Sequence, residues 1–348
     1  MSIKERNSGF ELLRILCIFG ILCMHLSGTY TLSTNLPTLV TLNVINSLFN
    51  ICVTCFVLIS GYFSITLKWD KLFSLWCIVI FYSLADAVIS YSIGTPLTLT
   101  ELFKSIFPSI TGKYWFFTTY LLLAIFSPYI NRIPQVLPQK QFKNLLLLLI
   151  VVFYFLPTFF YFEIIKDNGK GPVCMLIVYL IGRYIALHAK RPPVKRKAVL
   201  WLCLSLCTAF FLNMAATLLR HTTFAPFARD NSLCMLIGAI SLFRLFQNIN
   251  FSSMTVNRIS SYVFSAYIAE RVFRNLLINF FPYSALDGKW YLLLCIAGGA
   301  AFIFFICILT ELLRKFIFHY PEQWIYKTLK RLCLSVHDAV INRIYQFF

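Results

Sequence analysis

The sequence predicts an all-α integral membrane protein with about ten transmembrane helices and both termini in the cytoplasm. The first observation is composition: 59% of the 348 residues are hydrophobic and 13% are charged, whereas about a quarter of a soluble domain is charged. The second is that the apolar residues form separate runs, many long enough to cross a bilayer. The third is that no long stretch alternates apolar and polar residues, which argues against a barrel of strands. Spans in lipid are then helices, because the backbone must satisfy its own hydrogen bonds.

Ten apolar runs are predicted to be spans, and a polar, uncharged loop that contains Pro37 separates the first two. The predicted spans are residues 10–29, 44–66, 72–93, 114–130, 144–163, 172–188, 198–218, 232–247, 259–281 and 290–313. The sequence shows no internal repeat and no Ser/Gly-rich linker. Residues 1–320 are therefore predicted to form one membrane domain.

Residues 321–348 are predicted to form a cytoplasmic tail. Apolar residues recur there at helical spacing with basic residues between them, namely Trp324, Ile325, Leu329, Leu332, Val336, Val340 and Ile344. This pattern predicts an amphipathic helix on the cytoplasmic leaflet. A helix packed on the cytoplasmic loops is the alternative.

The basic residues predict the orientation, because Lys and Arg concentrate in cytoplasmic loops. With ten spans most basic residues fall on one side, and the densest cluster, residues 190–197, lies between the sixth and seventh spans. Both termini are therefore predicted to be cytoplasmic. The net charge of +18 predicts contact with anionic lipid headgroups or a phosphorylated ligand, and nucleic acid is not an expected partner.

Most of the 12 cysteines lie inside apolar runs, where cysteine behaves as a small hydrophobic residue. Cys52 and Cys55 form a C-x-x-C pair but have no second ligand pair, so no metal site is predicted. The first apolar run lacks a small-residue cleavage pattern, so it is predicted to remain as a span.

The first span contains three ionisable side chains, Glu11, Arg14 and His25. Eleven residues make about three helical turns, so Arg14 and His25 share nearly one face and lie ~16 Å apart along it. Glu11 falls one turn before Arg14 on the same side. Ionisable groups inside a span are costly and usually functional. A boundary pair that snorkels to the headgroups is the alternative for Glu11 and Arg14, but it does not account for His25.

The spacing of Arg14 and His25 suits one kind of ligand. Arg14 is always charged and suits a phosphate or carboxylate, and histidine is the usual general base near neutral pH. A cytosolic ligand with an anionic head and a long arm would reach both side chains. Coenzyme A has that shape, with phosphates at one end and a thioester at the end of a long arm, so acyl-CoA as a co-substrate is one hypothesis from this spacing. No tightly bound cofactor is expected.

Four segments carry a resemblance to a known family. They are R-I-L-C-I-F-G-I-L-C-M-H at 14–25, F-V-L-I-S-G-Y-F at 56–63, Y-W-F-F-T-T-Y-L-L-L-A-I-F-S-P-Y-I-N at 114–131, and S-S-Y-V-F-S-A-Y-I-A-E at 260–270. Lys68 and Lys71 follow the second segment where many family members carry a basic-x-x-basic pair. In order and spacing these segments resemble the membrane-bound acyltransferase-3 family.

The resemblance implies transfer of an acyl group, usually acetyl, from cytosolic acyl-CoA to a hydroxyl. The implied acceptor is a sugar of a cell-surface polysaccharide or of its lipid-linked precursor. His25 would be the general base, and Glu11 would orient Arg14. Arg14, Lys68 and Lys71 would hold the nucleotide phosphates. The protein is then expected in a cell membrane, the bacterial plasma membrane, as a multi-pass protein surrounded by lipid.

Three further side chains have implied roles with structural alternatives. Ser60 would donate a hydrogen bond near the thioester, and the alternative is a bond back to its own helix. Trp115 and Tyr120 would pack the donor or a sugar ring. The alternative for both aromatic residues is ordinary packing or an interfacial aromatic belt.

The sequence departs from the family pattern at two places. Glu270 stands where many members have a second His, and the pair after the second span is Lys68 and Lys71 rather than arginine, which removes the bidentate fork. Glu270, Arg271 and Arg274 are predicted to form an intramembrane ion pair and to face the acceptor. Asp86, in the third span, is predicted to pair with a basic residue of a neighbouring helix.

Two other functions remain open from sequence. A carrier, glycan polymerase or flippase could be built from the same helices, and some family members are thought to serve uptake. Transporters often show broken helices and paired repeats, and neither is clear here. A structural or sensory protein would not account for Arg14 and His25.

Overall fold

The computed structural model describes the backbone of residues 7–347 and the side chains of residues 7–331. Within this part of the chain every regular element is a helix. The α-helices are α1 Ser8–Ser27, α2 Leu36–Phe49, α3 Ile51–Phe63, α4 Trp69–Ser92, α5 Leu99–Ile106, α6 Trp115–Ile130, α7 Ile133–Val136, α8 Gln139–Ile150, α9 Leu156–Phe159, α10 Pro172–His188, α11 Lys195–Arg220, α12 Leu233–Phe246, α13 Met254–Ser260, α14 Val263–Phe280 and α15 Leu292–Phe347. One π-helical turn, Val151–Phe155, joins α8 to α9.

Six helical segments of the described residues are long and apolar enough to cross a membrane. They are Ser8–Tyr30, Leu36–Phe63, Trp69–Ser92, Gln139–Phe159, Lys195–Arg220 and Leu292–Arg331. The helices α10 and α12 are apolar but shorter, and α6 and α14 coincide with the fourth and ninth predicted spans. The chain is a multi-pass helical membrane protein, while the count of ten and the orientation stay predictions.

The second predicted span differs most from the structure. Its helix begins at Leu36 rather than at residue 44, and Pro37 lies in the first turn of α2. Proline is tolerated there because a backbone N–H in the first turn has no partner within the helix. Part of the predicted polar loop is therefore helical. The helix is then interrupted at Asn50, whose side-chain amide donates to the carbonyl of Ala228.

The last helix, α15, runs without interruption from Leu292 to Phe347, and Pro321 lies inside it. The predicted tail is thus continuous with the tenth span, and whether its apolar face lies on a membrane stays a prediction. Four members of the amphipathic pattern, Leu332, Val336, Val340 and Ile344, lie outside the residues whose side chains are described.

Contacts between connecting segments define two ends of the helix bundle. We call one the basic end; it holds Asn7 and residues 64–68, 131–138, 189–194 and 247–253. Here the guanidinium of Arg244 donates to the carbonyls of Ala189 at 2.5 Å and Arg191 at 2.7 Å. Nearby, Ser8 Oγ donates to Asn257 Oδ1 at 2.9 Å.

The other end, which we call the opposite end, holds residues 28–35, 93–114, 160–171, 221–232 and 281–291. At this end Asp287 accepts hydrogen bonds from Ser33 at 2.6 Å, Thr38 at 2.6 Å and Asn35 at 2.9 Å. These donors, Ser33 first, hold the pKa of Asp287 below its usual range, because each favours the charged carboxylate. The contacts tie the α1–α2 connection to the segment before α15.

Glycines at the contact of α3 and α10 determine how Ser60 is oriented. A Cβ on Gly61 would lie 2.2 Å from the carbonyl oxygen of Tyr179, and a Cβ on Gly182 would lie 2.5 Å from that of Leu58. Small residues let two helix backbones approach closely in a membrane. The close approach fixes the rotation of α3, and Ser60 then faces away from α10 into the bundle.

Candidate active site

The first turns of α1 hold a fixed charge pair. Asn7 caps the helix, and its side chain accepts from the amide of Gly9 at 2.9 Å. Arg14 Nη1 donates to both carboxylate oxygens of Glu11, at 2.9 and 3.0 Å. The hydroxyl of Ser260 in α13 also donates to Glu11. The predicted Glu11–Arg14 pair is therefore present, and Glu11 is held from two helices.

A cavity of about 240 Å³ lies beside α1, and Arg14 is in its wall. Its lining comes from α1, α3, α4, α6, α13 and α14, and most of it is aliphatic or aromatic. Ser60, Tyr120 and Tyr267 add hydroxyl groups, and Ile21 lies on the α1 side. The cavity thus joins a cation to an apolar channel with few polar groups, which is typical of a small-molecule site.

The predicted donor-site residues divide between two pockets. Ser60 lines the cavity while its hydroxyl donates to the carbonyl of Phe56 at 2.9 Å, so the bond back to its own helix is present. Tyr120 lines the cavity too, stacked on Phe116 with ring centroids 5.9 Å apart. Trp115 lines a different, much smaller pocket near Asp230, so the structure does not bring Trp115 to the cavity.

Lys68 and Lys71 stand at the basic end of α4, and both are exposed. Leu75, one turn after Lys71, lines the cavity. Residues four positions apart share a helix face, so Lys71 lies on the face of α4 that carries Leu75, toward the basic end. Lys68 precedes the helix at the same end. Neither makes an ion pair with a described residue. Both cations lie at the end of the bundle where α1 and α4 begin.

His25 lies one turn beyond Ile21 and pairs with Glu270 of α14. The distance from His25 Nδ1 to Glu270 Oε1 is 2.9 Å, and Glu270 is 5% exposed. A carboxylate can only accept, so Nδ1 is the donor and Nε2 is left to accept a proton. The imidazole is thus held in the orientation that a general base requires.

Tyr267 connects the cavity to His25. It lines the cavity, and its ring centroid lies 6.4 Å from that of His25 and 5.5 Å from that of Phe116. His25 itself is not in the cavity wall. The cavity therefore leads from Arg14 to the residues that pack against His25, and the Tyr267 ring lies at its end.

A charged cluster extends from His25 toward the opposite end. Arg274 Nη1 lies 3.4 Å from Glu270 Oε2, which is the predicted intramembrane pair. Arg271 pairs instead with Asp86 of α4, its Nε 3.2 Å from Oδ2. Lys113, from the segment before α6, lies 3.0 Å from the same oxygen. Arg271 is thus the predicted partner of Asp86 on a neighbouring helix, and Lys113 is a second partner from outside the helices.

A family model described as an acyltransferase domain, that of the acyltransferase-3 family, matches residues 7–312. The chain belongs to the acyltransferase-3 family. The matched region begins at the cap of α1 and ends within α15, so it holds every residue of the candidate site. No curated protein and no solved structure matches the chain. A membrane acyltransferase is therefore the general class.

Within this acyltransferase domain, sequence reasoning missed how Glu270 is used. The structure adds a contact of Glu270 with His25, and whether Glu270 also faces the acceptor stays a prediction. Its position in the fourth family-like segment, where many members have a second His, marks it as a site residue but does not indicate this contact. Tyr267 was also missed, although it lies one turn before Glu270 on the same face. Ser260 and Lys113 gave no local signal.

The acyltransferase domain offers no evident metal ligands. Among the described residues no group of three or more His, Cys, Asp or Glu side chains could hold a metal ion. The charged groups near His25 are instead paired with one another, through Glu270 and Asp86.

Proposed function

We propose that the protein is an O-acyltransferase that moves an acyl group, expected to be acetyl, from cytosolic acyl-CoA to a hydroxyl of a cell-surface polysaccharide or its lipid-linked precursor. One observation carries the proposal: Arg14 and His25 lie on one helix, Glu270 of α14 holds His25, and a cavity leads from Arg14 toward His25. The basic end would face the cytoplasm of a bacterial cell, with the chain in its plasma membrane.

The donor would enter at the basic end. Its phosphates would meet Arg14, with Lys68 and Lys71 adding positive charge nearer the mouth. Arg14 has one guanidinium nitrogen engaged by Glu11, so the others remain to meet a phosphate. The pantetheine arm would then lie in the apolar cavity, with its thioester near Tyr267.

The reaction would use His25 as a general base. Nε2 takes the proton of the acceptor hydroxyl, and the oxygen attacks the thioester carbonyl carbon. The carbon–sulfur bond breaks, an ester forms, and CoA leaves as a thiol with the proton that His25 returns. Glu270 stabilises the imidazolium between these two transfers, as the carboxylate of a catalytic triad does.

The test compares acetyl-CoA turnover by the purified protein in nanodiscs with that of His25→Ala, with mixed cell-envelope glycans as acceptor. Thiol release is the readout. We expect His25→Ala to lose turnover and to retain acetyl-CoA binding, since the cavity wall is unchanged. His319→Ala is the matched control because His319 is exposed on α15, and its turnover should equal that of the wild type.

Two results would contradict the proposal. One is full thiol release by His25→Ala. The other is the absence of acetyl-CoA binding by the wild-type protein, measured by calorimetry on the same nanodiscs. Binding without turnover would instead direct the search to a different acceptor glycan, because the donor half of the site would be functional.

A further inference from the structure

We infer that the acceptor carries an oxyanion, a carboxylate or a phosphate, which binds Arg271 and Arg274 on the opposite-end side of His25. The inference rests on the proposed function and names the acceptor class for the same site. It follows from three observations: the common face of α14, the unequal use of the three cations, and the charge balance of the cluster.

The face of α14 that holds His25 continues into both arginines. Tyr267, Glu270, Arg271 and Arg274 are spaced by three, one and three residues, which places them on one side of a helix. Tyr267 lines the cavity and Glu270 holds His25. The arginines therefore come next along the same face, toward Phe280 and the opposite end.

The three cations of the cluster are not equally engaged. The side chain of Lys113 is 4% exposed, and its Nζ contacts Asp86 at 3.0 Å, Ser105 Oγ at 3.0 Å and the carbonyl of Ser83 at 3.2 Å. An ammonium has three hydrogens, so Lys113 is fully used and its role is structural.

The two arginines keep free capacity. The side chains of Arg271 and Arg274 are 40% and 21% exposed, and each makes one ion pair with a described residue. Glu270 Oε2, the partner of Arg274, is buried without a hydrogen bond to a described residue, so this pair is loose. A guanidinium has five donors in a planar fork that fits carboxylate or phosphate. Most of these donors remain for a ligand.

The charge balance also favours an anion. Lys113, Arg271 and Arg274 face the carboxylates of Asp86 and Glu270, so one positive charge is unbalanced when His25 is neutral. An unbalanced charge in a span is costly. An acceptor oxyanion would balance it, and an uncharged sugar would not.

The position of this anion would orient the acceptor. The Glu270 carboxylate lies 2.9 Å from His25 and 3.4 Å from Arg274, so only this carboxylate separates the imidazole from an anion bound to Arg274. A sugar hydroxyl near the bound oxyanion would therefore be held close to His25 Nε2.

The test measures the access of a reagent to His25, which needs neither acyl-CoA nor a known acceptor. The protein in phosphatidylcholine nanodiscs is treated with diethyl pyrocarbonate, and His25 modification is followed by peptide mass spectrometry. Sodium glucuronate and inorganic pyrophosphate are the probes, compared with sodium chloride at equal ionic strength. The neutral methyl ester of glucuronic acid is the uncharged control.

We expect glucuronate, pyrophosphate or both to slow the modification of His25, and the methyl ester to leave it unchanged. Protection by glucuronate alone indicates a carboxylated sugar, and protection by pyrophosphate alone indicates a phosphorylated lipid carrier. The double variant R271Q/R274Q should need about tenfold or more of the protecting anion for the same protection of His25. Arg271→Lys should retain part of the affinity for that anion. Arg220→Gln removes an exposed cation at the same end and should have no effect.

Three results overturn the inference: no protection by either anion, equal protection in R271Q/R274Q, or equal protection by the methyl ester. A fourth is slower modification of His25 in phosphatidylglycerol nanodiscs without any added anion and no effect of either soluble anion, which would mean that the arginines bind the headgroups of bilayer lipid. Failure here is separable from failure of the proposed function. Turnover of acetyl-CoA without anion protection removes only the acceptor class. Anion protection by a protein that does not bind acetyl-CoA, or whose His25→Ala variant keeps full thiol release, removes only the acyltransferase reaction.

Discussion

Glu270 Oε1 lies 2.9 Å from His25 Nδ1, so a carboxylate of α14 holds the imidazole of α1 although 245 positions of sequence separate them. The pair fixes which nitrogen of His25 accepts a proton. It also joins the proposed donor cavity to the charged cluster at the opposite end, since Glu270 contacts Arg274 as well.

Replacing Glu270 with Gln should lower kcat and leave the KM for acetyl-CoA unchanged. The amide removes the charge that stabilises the imidazolium, and orienting carboxylates of this kind contribute roughly 10²- to 10⁴-fold. Steady-state thiol release measures both constants. Glu101→Gln is the control, because Glu101 forms an exposed pair with Lys104. An unchanged kcat in Glu270→Gln would separate Glu270 from catalysis.

Replacing Arg14 with Gln should weaken acetyl-CoA binding about tenfold or more, because a charge-assisted contact to phosphate is lost. Arg14→Lys should retain part of the affinity, since it keeps the charge without the fork. Calorimetry measures the dissociation constants. S-acetylpantetheine, which lacks the phosphates, is the control ligand and should bind both proteins alike. An equal loss for both ligands would mean that Arg14 shapes the cavity instead.

Replacing Gly61 with Ala should lower the unfolding temperature, because the new methyl group would lie 2.2 Å from the carbonyl oxygen of Tyr179. Overpacking of this kind costs about 1–3 kcal/mol. Gly298→Ala is the control, since no atom outside its own stretch of helix backbone lies within 4 Å of its added methyl, and alanine is the better helix former. Thermal unfolding in nanodiscs compares the two, and equal stability would contradict the close α3–α10 contact.

Asp230 should make stability fall as the pH rises from about 4 to about 7. Burial raises the pKa of Asp230 from 3.8 to about 7, and the positive charge of Lys170 offsets this in part. Below pH ~4 both states hold the proton, so there is no penalty. Between the two values the unfolded chain releases the proton and the folded chain keeps it. The penalty is complete above the folded pKa and amounts to at most about 4 kcal/mol.

Asp230→Asn should therefore raise the unfolding temperature at pH 8 and leave it nearly unchanged at pH 4. Asp287→Asn is the contrasting control at the same end of the bundle. The pKa of Asp287 is lowered, so its carboxylate stabilises the fold above pH ~4 and loses that effect as the pH falls. Its replacement should lower the unfolding temperature at pH 8. A wild-type difference between pH 4 and pH 8 that persists in Asp230→Asn would exclude Asp230 as its source.

The sequence was most informative where spacing alone decides geometry. Helical periodicity placed Glu11, Arg14 and His25 on one side of α1, and the Glu11–Arg14 bonds bear out the pairing. The same periodicity explains Trp115. It lies five residues from Tyr120, which is about 140° around a helix, so the two rings face different pockets. Phe116, four residues from Tyr120, shares its cavity.

Long-range partners were beyond the sequence. Nothing near Glu270 in the chain indicates that it contacts His25, and Lys113 reaches Asp86 from outside the helices. A membrane interior leaves few alternatives for a charge, so a partner for Asp86 was expected, but periodicity cannot say which. The interruption at Asn50 was missed because its amide is satisfied by Ala228, from the distant segment before α12.

The contacts of α1 also determine when the site can exist. Ser8 bonds to Asn257, Glu11 to Ser260, His25 to Glu270, and Tyr30 to the carbonyl of Tyr283. During synthesis α1 enters the membrane before any of these partners has been translated. Its three ionisable groups therefore lack these partners until the last third of the chain has been synthesised. A chain that ends before residue 270 would contain a complete α1 and no carboxylate of α14 beside His25.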